Sequence, residues 1–230
     1  MFSLGRACLP RGGMDAIPRQ LAAGLPAGAV QLNCLVRQAE PGRVTIADGS
    51  VRTADHVVVA VDSPAAAKIL PAAFAAAPGS RPVKGTRLVA FAADRSPLTG
   101  RTLVVNADAG SPIDNLTVPS DVAEGYAPPG SAVVYVSIRG DWQGGDRDLP
   151  DAVRRQAASW FGQGPTSWRH LATVHVPHAL PDESPAARRV RPATPQLCPG
   201  LFVCGDATSS ASINGALASG RRAAASLLAS

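Results

Sequence analysis

Leu201-Phe202-Val203-Cys204-Gly205-Asp206, then the polar stretch Ala207–Ser212, then Ile213-Asn214-Gly215-Ala216-Leu217-Ala218-Ser219-Gly220, form the most informative run of the chain. Four apolar residues set between Pro199-Gly200 and Gly205 read as a short buried strand. From Ile213 onward, Ile213, Ala216, Leu217, Gly220 and Leu227 recur at helical spacing. Gly205 lacks a Cβ, so its backbone can lie against a ligand. Asp206, at the carboxyl end of the strand, can accept hydrogen bonds from hydroxyl groups. The first N–H groups of the helix, near Asn214 and Gly215, present partial positive charge to whatever sits there. This is a cradle for an anion or a cofactor. It is equally an ordinary strand–loop–helix unit, with Asp206 capping the loop and Asn214-Gly215 turning it; the residues alone leave both readings open.

Upstream, the chain changes texture twice. Pro10-Arg11-Gly12-Gly13 is turn chemistry, and Met14, Ile17, Leu21 and Leu25 follow at helical spacing until Gly24 and Pro26. Ala29–Val36 alternates as a strand. Arg43–Ala47 and Val51–Thr53 flank Asp48-Gly49, a strong hairpin signal. His56–Val61 is a continuous β-branched run, as expected of a strand buried on both faces. Asp62-Ser63-Pro64 then opens a helix through Ala65–Leu70.

The middle consists of short strands: Leu88–Ala92, Thr102–Asn106, Leu116–Val118 and Val133–Ile138, separated by Gly, Pro and Asp clusters. That pattern predicts a mostly antiparallel sheet. Leu149–Phe161 reads as an amphipathic helix with Val153, Ala157, Trp160 and Phe161 on one stripe. Trp160 and Trp168 are expected to pack in a core rather than against a ligand. There is no internal repeat.

Composition excludes several classes. With 46% hydrophobic residues among 230, the chain can bury a sizeable core. The net charge of +5 comes from scattered arginines, and aromatics at 4% are too few for base-stacking platforms, so nucleic-acid binding is not expected. No run approaches the roughly 20 apolar residues of a membrane span, and the opening residues do not read as a secretory signal. Cys8, Cys34, Cys198 and Cys204 form no Cys-x-x-Cys pair and have no histidine at ligand spacing, so no metal site is expected. Cys34 and Cys204 fall in apparent strands, and a soluble protein in a reducing compartment, cytoplasmic or plastid-like, fits the cysteine usage.

The tail segment, Leu201–Asp206 with Ser212–Gly220, resembles the closing FAD motif of the flavin amine oxidase superfamily. The similarity is greatest to the branch containing phytoene-desaturase-like and protoporphyrinogen-oxidase-like proteins. Leu9–Met14 with Ile17-Pro18, Val57–Ala60 and Val176–Pro181 agree in order. The resemblance implies an α/β (α+β) fold: a partial FAD-binding Rossmann-like domain plus a mostly antiparallel substrate-domain sheet. Residues 1–80 would be the internal part of the FAD domain, 81–190 the substrate-binding sheet, and 191–230 the closing strand and helix. It implies FAD as cofactor, with Asp206 beside Gly205 at the ribityl or pyrophosphate region. Ile213, Asn214, Gly215 and Ala216 would lie by the flavin ring. Val36, with Leu35 as the register alternative, would offer backbone hydrogen bonds to adenine.

The departures are specific. The superfamily's Gly-x-Gly-x-x-Gly fingerprint does not occur in this sequence, and Gly12-Gly13 follows no strand. The chain therefore reads as N-terminally truncated relative to the family. No aromatic stands at Ser210–Ile213, where amine oxidases commonly form a cage, which points to a small apolar substrate oxidised by hydride transfer to flavin. The alternative is a non-catalytic truncated paralogue acting as an interaction module, self-associating or completed by a partner chain. Lys84 and Thr86 compete for one register position and neither is assigned a role. His175 and His178 read as structural or solvent-facing, and Ser63 and Ser120 lie in no nucleophile elbow. No catalytic residue is assigned.

Overall fold

In a computed structural model of the chain, residues 8–74, 83–140, 142–189 and 191–229 are described. Their elements run α1 (Ala16–Ala23), β1 (Val36–Glu40), β2 (Arg43–Ile46), β3 (Val51–Thr53), β4 (Val57–Val59) and α2 (Ser63–Ile69). Then come β5 (Val83–Ala93), β6 (Val104–Val105), β7 (Ile113–Thr117), α3 (Pro119–Val122), β8 (Ala132–Ile138) and α4 (Leu149–Phe161). The chain closes with β9 (Arg169–Pro181), α5 (Pro185–Arg189), β10 (Gln196–Cys198), β11 (Leu201–Val203) and α6 (Ile213–Leu228). These elements divide between two compact units. One holds the described residues up to Val30 with Thr86–Val176; the other holds Gln31–Gly85 with the described residues from Pro177 onward.

The first unit is built on a five-stranded sheet in the order β6-β7-β8-β5-β9. Its pairings β5–β8, β7–β8 and β6–β7 are antiparallel, with Arg87 opposite Ile138 and Ala93 opposite Ala132. Val89, Phe91, Leu116, Val134 and Val136 are completely buried, and Leu149, Val153 and Ala157, four residues apart on α4, pack onto them. Burying each such side chain fully is worth about 1.5–3 kcal/mol. Trp168, 4% exposed, joins this core with its ring centroid 5.7 Å from that of Phe91, as expected; Trp160 is half-buried at the rim.

The second unit contains two three-stranded sheets, β1-β2-β3 and β10-β11-β4. The first is a meander of two hairpins, the second hairpin turning at Asp48-Gly49 as predicted. In the other sheet β11 pairs parallel with β4 and antiparallel with β10. Val57, Val59 and Leu201 share a core with Ala39 of β1, Ala66 of α2 and Leu70. Asp62 starts α2 by accepting from Ala65 N–H at 2.8 Å, with Pro64 in the first turn.

The structure corrects three local expectations. Residues 30–35 are not strand; the strand begins at Val36. Asn33 takes a positive φ of 60°, which a strand cannot accommodate, and the apolar residues Val30 and Leu32 have no surface to cover. Cys34 consequently lies in an exposed loop. The run His56–Val61 is not buried on both faces either. Val57 and Val59 are buried against α2 and β1, but Val58 is 40% exposed, since β4 is the edge strand of its sheet and α6 packs on β10 and β11. Finally, residues 169–181 form one long edge strand, where the sequence pattern assigns no element and reads His175 and His178 as structural or solvent-facing. Both histidines are exposed; His178 Nδ1 lies 3.4 Å from Asp62 Oδ2. The apolar positions of α1 are exposed as well, with Leu21 at 58%.

Candidate functional site

The parallel pair β4 and β11 ends at the point where the tail motif turns. In open α/β sheets, the carboxyl ends of parallel strands are where ligands bind. Gly205 leaves β11 with φ 136° and ψ 175°, a backbone region essentially reserved for glycine. Its open side is uncrowded: a Cβ there would meet only Val61 O, at 3.8 Å. Asp206 begins a 3-10 turn through Thr208, with Ser209 N–H donating to its carbonyl at 3.0 Å. Its side chain is half-exposed, and among the described residues nothing donates to its carboxylate.

The chain then runs through Ser209–Ser212 into α6. Ser212 is the N-cap: its hydroxyl accepts from Gly215 N–H at 3.0 Å and its carbonyl from Ala216 N–H at 2.9 Å. The Gly215 N–H is therefore engaged, contrary to the expectation that it would be free. The N–H groups of Ile213 and Asn214 have no acceptor among the described residues, and both side chains are exposed. Gly215 is buried, and a Cβ on it would lie too close to the Ser210 carbonyl oxygen for both to fit, so it admits the preceding loop. Ala216 is half-buried behind it.

Thus Gly205, Asp206, Ile213, Asn214, Gly215 and Ala216 belong to one loop-and-helix segment. Val36 stands apart, at the start of β1, paired with Ile46 just before a bulge. The Leu35 carbonyl accepts from Ala47 N–H at 2.8 Å. Lys84 Nζ lies 3.7 Å from Asp182 Oδ1, and Thr86 Oγ1 is 3.4 Å from the Ile138 carbonyl. Among the described residues no cluster of His, Cys, Asp and Glu could hold a metal ion. None of the described helices is long and apolar enough to cross a membrane. Sequence reading missed Thr208, Ser212 and Ser219, whose hydroxyls hold the segment together. The available signal was the spacing Gly215-Ser219-Ala223, which marks the buried face of α6.

A buried parallel strand ending in glycine and a carboxylate, followed by a turn and a helix, is the kind of strand end at which open α/β sheets bind ligands. The family model described as flavin containing amine oxidoreductase matches residues 1–228, and the chain belongs to that family. Among solved structures it is similar to a protein described as a protoporphyrinogen oxidase from Exiguobacterium sp. 255-15, with TM-score 0.71 and 20% identity over 94% of this chain and 51% of that one. Reduced UDP-galactopyranose mutase matches with TM-score 0.68 and 13% identity, over 87% of this chain and 47% of that one. Putrescine oxidase bound to putrescine matches with TM-score 0.69 and 13% identity, over 95% and 53%. These likenesses establish a shared fold. The chain spans about half the length of the solved structures it matches. No curated protein sequence matches it.

Membership of this family implies a flavin cofactor, and the residues present fit one. The unengaged Asp206 carboxylate suits the hydroxyls of a ribityl chain, the uncrowded Gly205 admits close approach, and two N–H groups at the start of α6 have no acceptor among the described residues.

Proposed function

We propose that the chain is the C-terminal part of an FAD-dependent oxidoreductase that oxidises a small apolar substrate by hydride transfer to flavin. The observation that carries this reading is the half-exposed, unengaged Asp206 carboxylate on the same loop-and-helix segment as the N–H groups of Ile213 and Asn214, which have no acceptor among the described residues. When bound, a flavin supplies the hydride-accepting chemistry. Asp206 would accept hydrogen bonds from ribityl hydroxyls and so fix the cofactor along the sheet edge. The N-terminus of α6, carrying roughly half a positive charge, would stabilise the negative charge that a reduced ring gains near its N1–C2=O edge. Val36 is preferred over Leu35 for adenine, because the Leu35 carbonyl already accepts from Ala47. The exposed Ile213 and Leu217 keep this end of α6 apolar, and no aromatic stands at Ser210–Ile213.

Without the glycine fingerprint, much of the grip on pyrophosphate is missing. Titration of the purified chain with FAD, followed by flavin fluorescence, should give weak binding, further weakened about tenfold by Asp206→Ala. An unchanged affinity in that variant sinks the assignment of Asp206, and tight binding by the unmodified chain sinks the incomplete site.

A second reading draws support from exposed patterned apolar residues: Met14, Leu21 and Leu25 on or beside α1, Val58 and Val61 on or beside β4, and Ile213 and Leu217 on α6. A truncated paralogue that self-associates, or is completed by a partner chain, would cover them. Sedimentation distinguishes the two: a monomer at high micromolar concentration argues against the interaction module.

A further inference from the structure

The Gly205-Asp206 turn is held from behind by a ring of three hydrogen bonds. Gly205 N–H donates to Ser219 Oγ at 2.9 Å, Thr208 Oγ1 donates to the Gly205 carbonyl at 2.9 Å, and the two hydroxyl oxygens lie 2.7 Å apart. Each hydroxyl carries one proton. Thr208 commits its proton to Gly205, so Ser219 must donate to Thr208, and the ring closes head to tail. Thr208 N–H adds a fourth bond to the same carbonyl, at 3.2 Å.

Two further features give the ring its importance. Ser219 is 3% exposed, so its hydroxyl is out of water and would be costly to leave unpaired. Gly205, between the end of β11 and the 3-10 turn, sits in a backbone region with no intrinsic preference to hold it there. Ser219 lies 14 residues away in sequence, on the buried stripe Gly215-Ser219-Ala223 of α6. The same helix therefore supplies the free N–H groups at its start and, one turn and a half later, the anchor for the Gly205 backbone that precedes Asp206.

We infer that Ser219 and Thr208 are positioning residues for the cofactor: they lock the Gly205 backbone to α6 and thereby set the Asp206 carboxylate relative to the helix N-terminus. This rests on the flavin reading above. Neither residue needs to touch the ligand. A cavity of about 90 Å³ has Thr208, Ser219 and Arg222 in its lining, so both ring hydroxyl residues border open space.

The test is FAD titration of the purified chain carrying Ser219→Ala, Thr208→Val, both together, or Ser219→Thr, with amide hydrogen exchange read at Gly205. Each single loss breaks two of the three ring bonds and should weaken FAD about fivefold, on the scale of a modest net hydrogen-bond contribution. The double variant should match a single one, because the first cut already opens the ring. Ser219→Thr keeps the hydroxyl and should restore affinity to within about twofold, while Gly205 exchanges faster only in the variants that break the ring. Unchanged FAD affinity in Ser219→Ala, or an additive double loss, overturns the positioning role while leaving the flavin reading standing. An unmodified chain that takes up no FAD overturns the flavin reading itself, and this inference with it.

Discussion

The carbonyl oxygen of Ser210 lies too close to the position of a Cβ on Gly215 for both to fit. The loop into α6 therefore folds back across the first turn of the helix, and Ser212 N–H donates to the same Ser210 carbonyl at 2.7 Å. Gly215 is required here by contact, not by backbone angle.

Gly215→Ala should displace the Ser209–Ser212 loop and strip the Ser212 cap from α6. The expected cost is about 1–3 kcal/mol, from overpacking and a lost N-cap. Gly220→Ala is the control: nothing lies within 4 Å of a Cβ there, and alanine favours the helix. Urea unfolding should separate the two variants clearly. Equal midpoints would remove the Ser210 contact from the account.

On α4, which packs onto the five-stranded sheet, Arg154 does two things at once. Its Nε donates to the Trp168 carbonyl at 2.8 Å, and its guanidinium lies 5.4 Å from the Phe91 ring centroid. Its ion pair with Asp151 is different in kind, since the aspartate is 67% exposed. Arg154→Ala should cost about 1–3 kcal/mol by leaving the Trp168 carbonyl without its donor. Asp151→Ala should cost no more than about 1 kcal/mol. Reversed magnitudes in denaturant melts would show that the surface pair, not the aromatic contact, holds α4.

Much of this was readable in advance, where local pattern and tertiary fate agree. Asp48-Gly49 turns a hairpin wherever strands flank it, and Asp62-Pro64 starts a helix by its own chemistry. The tail motif was legible because strand, glycine, carboxylate and helix follow one another without a break. What escaped depended on neighbours. The alternation of residues 29–36 has no partner strand until Val36 meets Ile46, and Val58 is exposed because only tertiary packing decides which strand lies at the sheet edge. The Ser219–Thr208–Gly205 ring escaped for the same reason: nothing local marks a serine on a helix as the acceptor for an amide 14 residues away.

The cysteines should react in the order of their exposure. Cys8 and Cys34 are exposed, Cys198 is intermediate and Cys204 is buried, with burial pushing its thiol pKa up. Since the thiolate is the nucleophile, Cys204 should stay silent to a thiol reagent until the chain unfolds. A stopped-flow assay on native protein should show two fast thiols. Fast labelling of Cys204, located by peptide mapping, would mean that the β11 end opens readily.

Glu183 supplies a pH-dependent contribution with a definite sign. Burial pushes its carboxyl up, but the guanidinium groups of Arg191 and Arg188 outweigh that and hold it below its usual value of 4.5. Arg188 Nε lies 3.1 Å from one carboxylate oxygen, and Arg191 bonds the other. A group whose folded pKa is depressed stabilises the fold above its unfolded pKa, and that stabilisation disappears as pH falls through the folded value. With the Glu183 side chain 29% exposed, the contribution should be modest, up to about 1 kcal/mol near neutral pH. Glu183→Gln should therefore unfold at lower urea than the unmodified chain at about pH 7, and the gap should narrow progressively as the pH falls below 4.5. Asp182 next door, held low by Ser184 and Lys84, is unchanged between the two proteins and drops out of the comparison. A gap that persists in acid would mean that the Glu183 side chain acts through packing rather than charge.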